Sequence, residues 1–231
     1  MIKFFKNKKD ILAVMSERND RSMKLLKSNI NKENRSNFFR KINIAEKNVV
    51  SAEIVHGNKV AIVKKNQPKI IRGVDALATT EKIYLAVTVA DCIPVYFYDE
   101  KNKIVGLAHA GWQGIAKGII KNTVIKILEL GGDVGNIKVV LGPGIKKCHF
   151  EIKEDTVDKF KKYPQFISLK KDKIFVDLFG IVKKQLLDLK VKENNIFESG
   201  ECTFENKKRY FSYRRDKPEV VEAMMAVIGM E

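Results

Sequence analysis

The chain is poor in the residues that usually announce a chemistry: its 231 residues hold three cysteines, three histidines, one tryptophan and five prolines. Cys92, Cys148 and Cys202 are odd in number, far apart and without CxxC spacing, which argues against a disulfide framework. No apolar run is long enough to cross a bilayer, and the opening stretch MIKFFKNKKDILAVM lacks the continuous apolar core of a secretory signal. No membrane association and a cytoplasmic, reducing compartment are expected. Repeats, low-complexity linkers and Pro/Gly-rich boundaries are missing too, so one domain over residues 1–231 is expected.

Acidic residues are in deficit, 28 against 44 basic ones, for a formal net charge of +16. Such a surplus attracts polyanions. Here it is mostly Lys spread along the chain, with Asn and Ile abundant beside it, the pattern of A/T-rich coding rather than of a binding stripe. Aromatics are not interleaved with the basic residues as in RNA readers, so nucleic acid is disfavoured as a partner. A basic nucleic-acid-binding protein stands as the non-enzyme alternative. Otherwise the composition, 45% hydrophobic and 31% charged, is that of a folded domain with a substantial core.

Hydrophobic periodicity gives a coarse map. Residues 1–15 alternate loosely, as an edge strand does, and Asn31 to Ile42 reads as a short helix with Asn31 at its N-cap. Val49–Val55, Lys59–Val63 and Ile83–Val89 read as strands. Ile93–Tyr98 and Lys103–Ala108, joined by DEKN, form a hairpin. From Trp112 to Leu130 the period changes to helical, and Gly131-Gly132 stops the helix. IKVVLGPGI is another strand, Thr156–Lys162 and Val176–Leu189 look helical, and RYFSYRRD and VEAMMAVIGM look like closing strands. Strands and helices interleave without strict βαβ order, which predicts a mixed-sheet α/β fold bordering on α+β, with one long helix after the central hairpin.

The hairpin carries the first chemical hint. With Asp99 facing Asn102 across the turn, Cys92 falls directly opposite His109, their Cβ atoms about 4.5–5.5 Å apart. A thiolate and an imidazole so placed can ligate a transition metal or act as a Cys-His nucleophilic pair. A metal needs a third ligand, and His56, at a strand end before Gly57, can supply it. Two nitrogens and one sulfur suit zinc, with a fourth position open for chemistry. The plain alternative is a buried thiol and a hydrogen-bonded imidazole.

VHG (55–57), GVDALAT (73–79), TVADCIPV (88–95), GLAHAGWQG (106–114), LGPGIKKCHFEI (141–152) and FSYRRD (211–216) occur in the order of one family. From about Asn34-Arg35 onward the chain resembles the laccase-domain family, once described as polyphenol oxidases and now as purine nucleoside phosphorylases. The resemblance implies a single α/β domain and a zinc site at His56, Cys92 and His109. It also implies phosphorolysis of adenosine, inosine and methylthioadenosine to free base and the sugar 1-phosphate, with adenosine deamination as a second activity. Purine nucleosides and phosphate are then the small-molecule partners, and a homodimer is compatible. Copper is the alternative metal of the older phenol-oxidase claim, because copper(II) outcompetes zinc at such ligands. Yet three histidines are too few for a multicopper oxidase. A Cys92-His109 thiol hydrolase is the other enzyme alternative.

Asp75 and Asp91, embedded in apolar motifs, are candidates for acid/base work, with turn capping as the plain reading of both. Arg214 and Arg215, read on a strand, should point to opposite faces, and Arg214 is taken as the catalytic candidate. The helix start at Trp112 offers N–H groups to an anion, and Trp112 itself could stack on a base. On a regular strand Cys148 and His149 cannot face one metal, so Cys148 is read as buried packing and His149 as a substrate contact. Two departures from the family pattern stand out. Ile54 replaces a common Gln, and KPEVVEAMMAV replaces a Thr-Gly-Arg segment, which puts nucleoside preference in question.

Overall fold

The computed structural model describes residues 1–25 and 31–231. Its elements run β1 (Ile2–Lys3), β2 (Ile11–Met15), α1 (Lys32–Lys41), β3 (Val49–Glu53), β4 (Val60–Ile62), β5 (Ile70–Arg72), β6 (Ala76–Thr79), β7 (Tyr84–Val89), β8 (Ile93–Asp99) and β9 (Ile104–Ala110). They continue as α2 (Trp112–Ala116), α3 (Ile119–Glu129), β10 (Ile137–Leu141), β11 (Glu151–Ile152), α4 (Glu154–Val157), β12 (Ile167–Lys170), β13 (Lys173–Val176), α5 (Leu178–Asp188), β14 (Ile196–Glu198), α6 (Tyr213–Asp216) and β15 (Met224–Met230). Two mixed sheets, ordered β1-β2-β15-β7-β3-β5 and β14-β10-β8-β9-β6-β4, form the body, with β11-β13-β12 as a small third sheet. This is the mixed α/β single domain expected.

The period of two sorts side chains into three apolar layers. Leu85, Val87 and Val89 on β7 face Tyr96, Tyr98 and Leu107 of the second sheet, filling the space between the sheets. Ala86 turns the other way and meets Phe38 and Phe39 of α1. On the far side Ile93, Val95 and Phe97 pack under Ile120, Val124 and Ile127 of α3 and Ile181 and Leu186 of α5. The order is helix, sheet, sheet, helices. Every residue of β8 and β9 is buried because both faces of that hairpin are covered, which is why its sequence is almost unbroken apolar.

Several expectations change. The hairpin register is shifted: Pro94, not Cys92, faces His109, and Ile93 faces Ala110. The cause is the turn, where Asp99 accepts from Asn102 N (3.0 Å), Asn102 Nδ2 (2.8 Å) and Asp133 N (2.9 Å), closing a longer loop between Asp99 and Ile104. The long helix is two helices, broken at Gly118, whose φ of 87° only glycine adopts without strain. The Ile115 carbonyl at the break accepts from Gln185 Nε2 (3.0 Å). FSYRRD is not a strand. Ser212 Oγ accepts from Arg215 N (3.2 Å) and Asp91 Oδ2 from Arg214 N (2.7 Å), and these two caps start α6. Val176 ends β13, and α5 begins after Asp177, whose carboxylate accepts from Gly180 N (2.9 Å). Asn31 occupies the N-cap position of α1, but its side chain donates to Lys24 O instead. The first fifteen residues give β1 at the sheet edge and β2 one position inside it.

Candidate metal centre and its pocket

Two turns and the end of strand β9 deliver the three donors. After β3 the chain turns sharply at His56, which sits at φ 56°, and the turn wraps a buried carboxylate: Asp75 Oδ1 accepts from His56 N (2.8 Å) and Oδ2 from Gly57 N (2.7 Å) and Val55 N (3.3 Å). The same Oδ1 lies 3.0 Å from His109 Nδ1, and His109 N donates to the Asp75 carbonyl (2.7 Å). Asp75 thus fixes the His56 turn and the His109 ring together. With Nδ1 bound to the carboxylate, His109 presents Nε2 to its neighbours. Cys92 enters from the other side, just after Asp91, whose φ of 82° breaks the strand before β8.

In the observed register Cys92 is opposite Gly111 rather than His109, and His109 is its diagonal neighbour on the same face. Gly111 makes the diagonal approach possible. A Cβ there would sit 3.0 Å from Cys92 Sγ, 3.3 Å from His109 Cε1 and 3.3 Å from His56 Cδ2. The imidazoles of His56 and His109 meet edge to face with centroids 4.9 Å apart. One donor atom from each of His56, Cys92 and His109 lies within 4.8 Å of the others.

Electrostatics suit a cation. Burial pushes the Cys92 thiol up, but the charge of His109 and hydrogen bonds from His109 and His56 outweigh it and hold it at about 6. Burial disfavours charged His109, yet the Cys92 thiolate and Asp75 lift it to about 9. Asp75 is itself lowered: burial works against its charge, and the bonds from His109 and Gly57 overcome that cost. Two imidazole nitrogens and a ready thiolate are a fitting donor set for zinc or copper, with three protein ligands.

The trio opens on a cavity of about 510 Å³, within the range of small-ligand sites. Asp91 lies on its wall and is engaged twice, by Thr203 Oγ1 (2.6 Å) and by Arg214 N (2.7 Å). Asp75 lies beneath His109 and is wholly buried. Both carboxylates hold other groups in place. Arg214 also lines the cavity. Its Nη1 donates to Glu151 O (2.7 Å) and its guanidinium lies 5.3 Å from the centre of the Phe150 ring, and among the described residues Nη2 and Nε meet no acceptor. Arg215 is turned away, spent on Asp216 and on the carbonyls of Thr203, Phe204 and Tyr210.

Trp112 borders the cavity while packing near Phe160, centroids 6.2 Å apart. Because α2 has five residues rather than nineteen, the dipole behind it is much smaller than the sequence suggested. Lys24 and Phe150 also line the cavity; neither stands out in the sequence, although Phe150 lies inside a motif. Ile54, Val221 and Ala223, which belong to the departures from the family pattern, all face it.

Cys148 and His149 depart from expectation. Cys148 is exposed, not buried packing, and the pair lies in a turn where His149 N and Phe150 N both donate to Lys146 O (3.0 Å each). A turn lets adjacent side chains converge, and His149 Nδ1 is 3.0 Å from Cys148 Sγ. The His149 ring stacks on Phe204 (4.2 Å, 18°) and is not among the cavity-lining side chains.

Fold and site together define a class: a mixed α/β domain with a candidate three-donor metal centre at one end of its central hairpin. Residues 27–231 match the family described as multi-copper polyphenol oxidoreductase laccase, and the chain belongs to that family. It is 36% identical over 188 residues to a purine nucleoside phosphorylase of Staphylococcus saprophyticus, covering 75% of this chain and 70% of that one. It is 32% identical over 199 residues to purine nucleoside phosphorylase YlmD of Staphylococcus aureus, covering 80% and 74%. Among solved structures, YlmD from Geobacillus stearothermophilus superposes with a TM-score of 0.89 at 27% identity, covering 96% of this chain and 93% of that one. Bacillus licheniformis YfiH shares the fold at the same TM-score of 0.89, with 24% identity and 96% and 93% coverage. No helix among the described residues is long and apolar enough to cross a membrane.

Proposed function

We propose that this chain is a zinc-dependent purine nucleoside phosphorylase acting on adenosine, inosine and methylthioadenosine, with adenosine deamination as a second activity. The observation that carries the reading is the convergence of His56, Cys92 and His109 on the cavity that Arg214 also lines. His56, Cys92 and His109 would hold the zinc ion. When bound, it would supply Lewis-acid polarisation and a water whose pKa falls toward about 7. The chain supplies the rest. Phe150, Ile145 and Leu178 give an apolar wall for a purine face, and the Arg214 N–H groups that meet no acceptor among the described residues hold an anion such as phosphate. Asp91 fixes the Arg214 backbone, and Asp75 keeps the His109 proton on Nδ1, so each acts as a positioning residue. Three cysteines outside any disulfide support a cytoplasmic setting.

One observation favours a second reading. Cys92, His109 and Asp75 stand in the order of a thiolate, an imidazolium and an orienting carboxylate, the arrangement of a thiol hydrolase. Copper-dependent phenol oxidation, the activity in the family's description, is a third. Zinc and copper analysis with an inosine-plus-phosphate assay separates them. The proposal expects phosphate-dependent hypoxanthine release that is lost on chelation, restored by zinc, and absent in Cys92→Ala and His109→Ala. Full activity in metal-free protein would favour the thiol reading, and activity toward phenols that requires copper would favour the oxidase.

A further inference from the structure

A second cluster of donors lies outside the pocket, where the turn before β11 meets the segment after β14. Cys202 forms an isolated bridge with Gly144, and Thr203 N donates to Gly144 O (3.1 Å), which draws the two segments together. Cys148 Sγ, His149 Nδ1, Cys202 Sγ and a Glu205 carboxylate oxygen then all lie within 4.8 Å of one another. Individual separations are 3.0 Å for Cys148 to His149, 3.8 Å for Cys202 to His149, 3.5 Å for Cys148 to Glu205 and 3.6 Å for His149 to Glu205.

These separations approach the edges of a coordination tetrahedron. Zinc bonds of about 2.3 Å to sulfur and about 2.0–2.2 Å to nitrogen or oxygen imply donor–donor edges of about 3.3–3.8 Å. Two sulfurs, an imidazole nitrogen and a carboxylate oxygen are also a donor set that suits zinc. Supporting contacts are of the kind that orient metal ligands: Lys146 N donates to Cys202 Sγ (3.5 Å), and Phe204 stacks on the His149 ring.

We propose that Cys148, His149, Cys202 and Glu205 form a second zinc site, structural in character because all four ligands come from the protein. The site clasps the 146–149 turn to the 202–205 segment. Both segments support the pocket wall: Thr203 Oγ1 bonds Asp91, and Arg214 donates to Glu151 O just beyond His149. The clasp therefore steadies Arg214 without touching the substrate.

The test uses the full chain with Cys92→Ala, which removes a ligand of the first cluster and isolates the second. After zinc loading and desalting, Cys92→Ala should retain about one zinc ion per chain, and Cys92→Ala combined with Cys148→Ser or with Glu205→Ala should retain much less. Cobalt(II) added to metal-free Cys92→Ala should give a thiolate-to-cobalt charge-transfer band that the added Cys148→Ser weakens. Circular dichroism confirms folding, and both Cys148 and Glu205 are exposed. A folded Cys92→Ala protein that holds no zinc and shows no such band would overturn the site, as would a Cys148–Cys202 disulfide found by peptide mapping in zinc-loaded protein. Failure of the first cluster leaves this result readable, because the variant already lacks it.

Discussion

Replacing Asp75 by Asn tests the centre at its foundation. The carboxylate receives four donors on two oxygens: His109 Nδ1 (3.0 Å) and His56 N (2.8 Å) on Oδ1, Gly57 N (2.7 Å) and Val55 N (3.3 Å) on Oδ2. Asparagine has one accepting oxygen, so either orientation fails. With its oxygen toward His109, the amide NH₂ confronts Gly57 N and Val55 N, and each buried donor left unpaired costs about 1–3 kcal/mol. Flipped, the amide donates to His109 Nδ1, drives the ring proton to Nε2 and blocks that nitrogen as a ligand. Loss of an orienting carboxylate typically lowers metal affinity 10–100-fold, about 1.4–2.7 kcal/mol. Asp75→Asn should therefore lose at least about tenfold in zinc affinity and at least about 1 kcal/mol of metal-free stability. Competition with a chromophoric chelator reads the first, urea unfolding the second, and nitrogen-15 NMR of the imidazoles the tautomer. Zinc affinity within about twofold of the parent, with His109 still protonated on Nδ1, would refute the reasoning.

Gly111→Ala should weaken zinc binding while leaving the fold intact, because its backbone at φ −75° accepts alanine but its Cβ crowds Cys92 Sγ, His109 and His56. Unchanged affinity in the chelator competition would count against the trio as ligands. In metal-free protein at pH 7, iodoacetamide should modify half-buried Cys92 before exposed Cys148. The Cys92 thiol is held at about 6, whereas burial and the neighbouring Cys202 and Glu205 push Cys148 up to about 11. A thiolate fraction about 10⁴ larger, set against about 10² lost in nucleophilicity, leaves Cys92 about a hundredfold faster. Peptide mapping of the first labelled site decides it. Asp10 is lowered from 3.8 to about 2 by hydrogen bonds from Lys103 and Tyr98. A depressed folded pKa gives stability that is complete above 3.8 and lost as pH falls toward 2, so Asp10→Asn should flatten that part of the urea midpoint against pH. An unchanged acid limb would assign the loss to other groups.

Much of this protein is written in local pattern. Apolar alternation and helical spacing mark the buried hairpin β8–β9, the closing strand β15 and the amphipathic α3, because burial of one face imposes a period that a single sequence carries. The motifs holding His56, Cys92 and His109 also single out these three residues, and the structure brings their donor atoms together. Contacts between distant segments decide the rest. The Asp99 side chain, held by Asp133 N from beyond α3 as well as by its own turn, sets the hairpin register, and Asp91, more than a hundred residues upstream, caps the helix that carries Arg214. Gly111 lets Cys92 reach His109 diagonally where the simple register would have put them face to face. The gathering of Cys148, His149, Cys202 and Glu205 is likewise invisible in sequence, since a turn rather than a strand presents the first two. Periodicity records which face of an element avoids water; which distant carboxylate, thiol or carbonyl meets that element is settled only when the sheets pack.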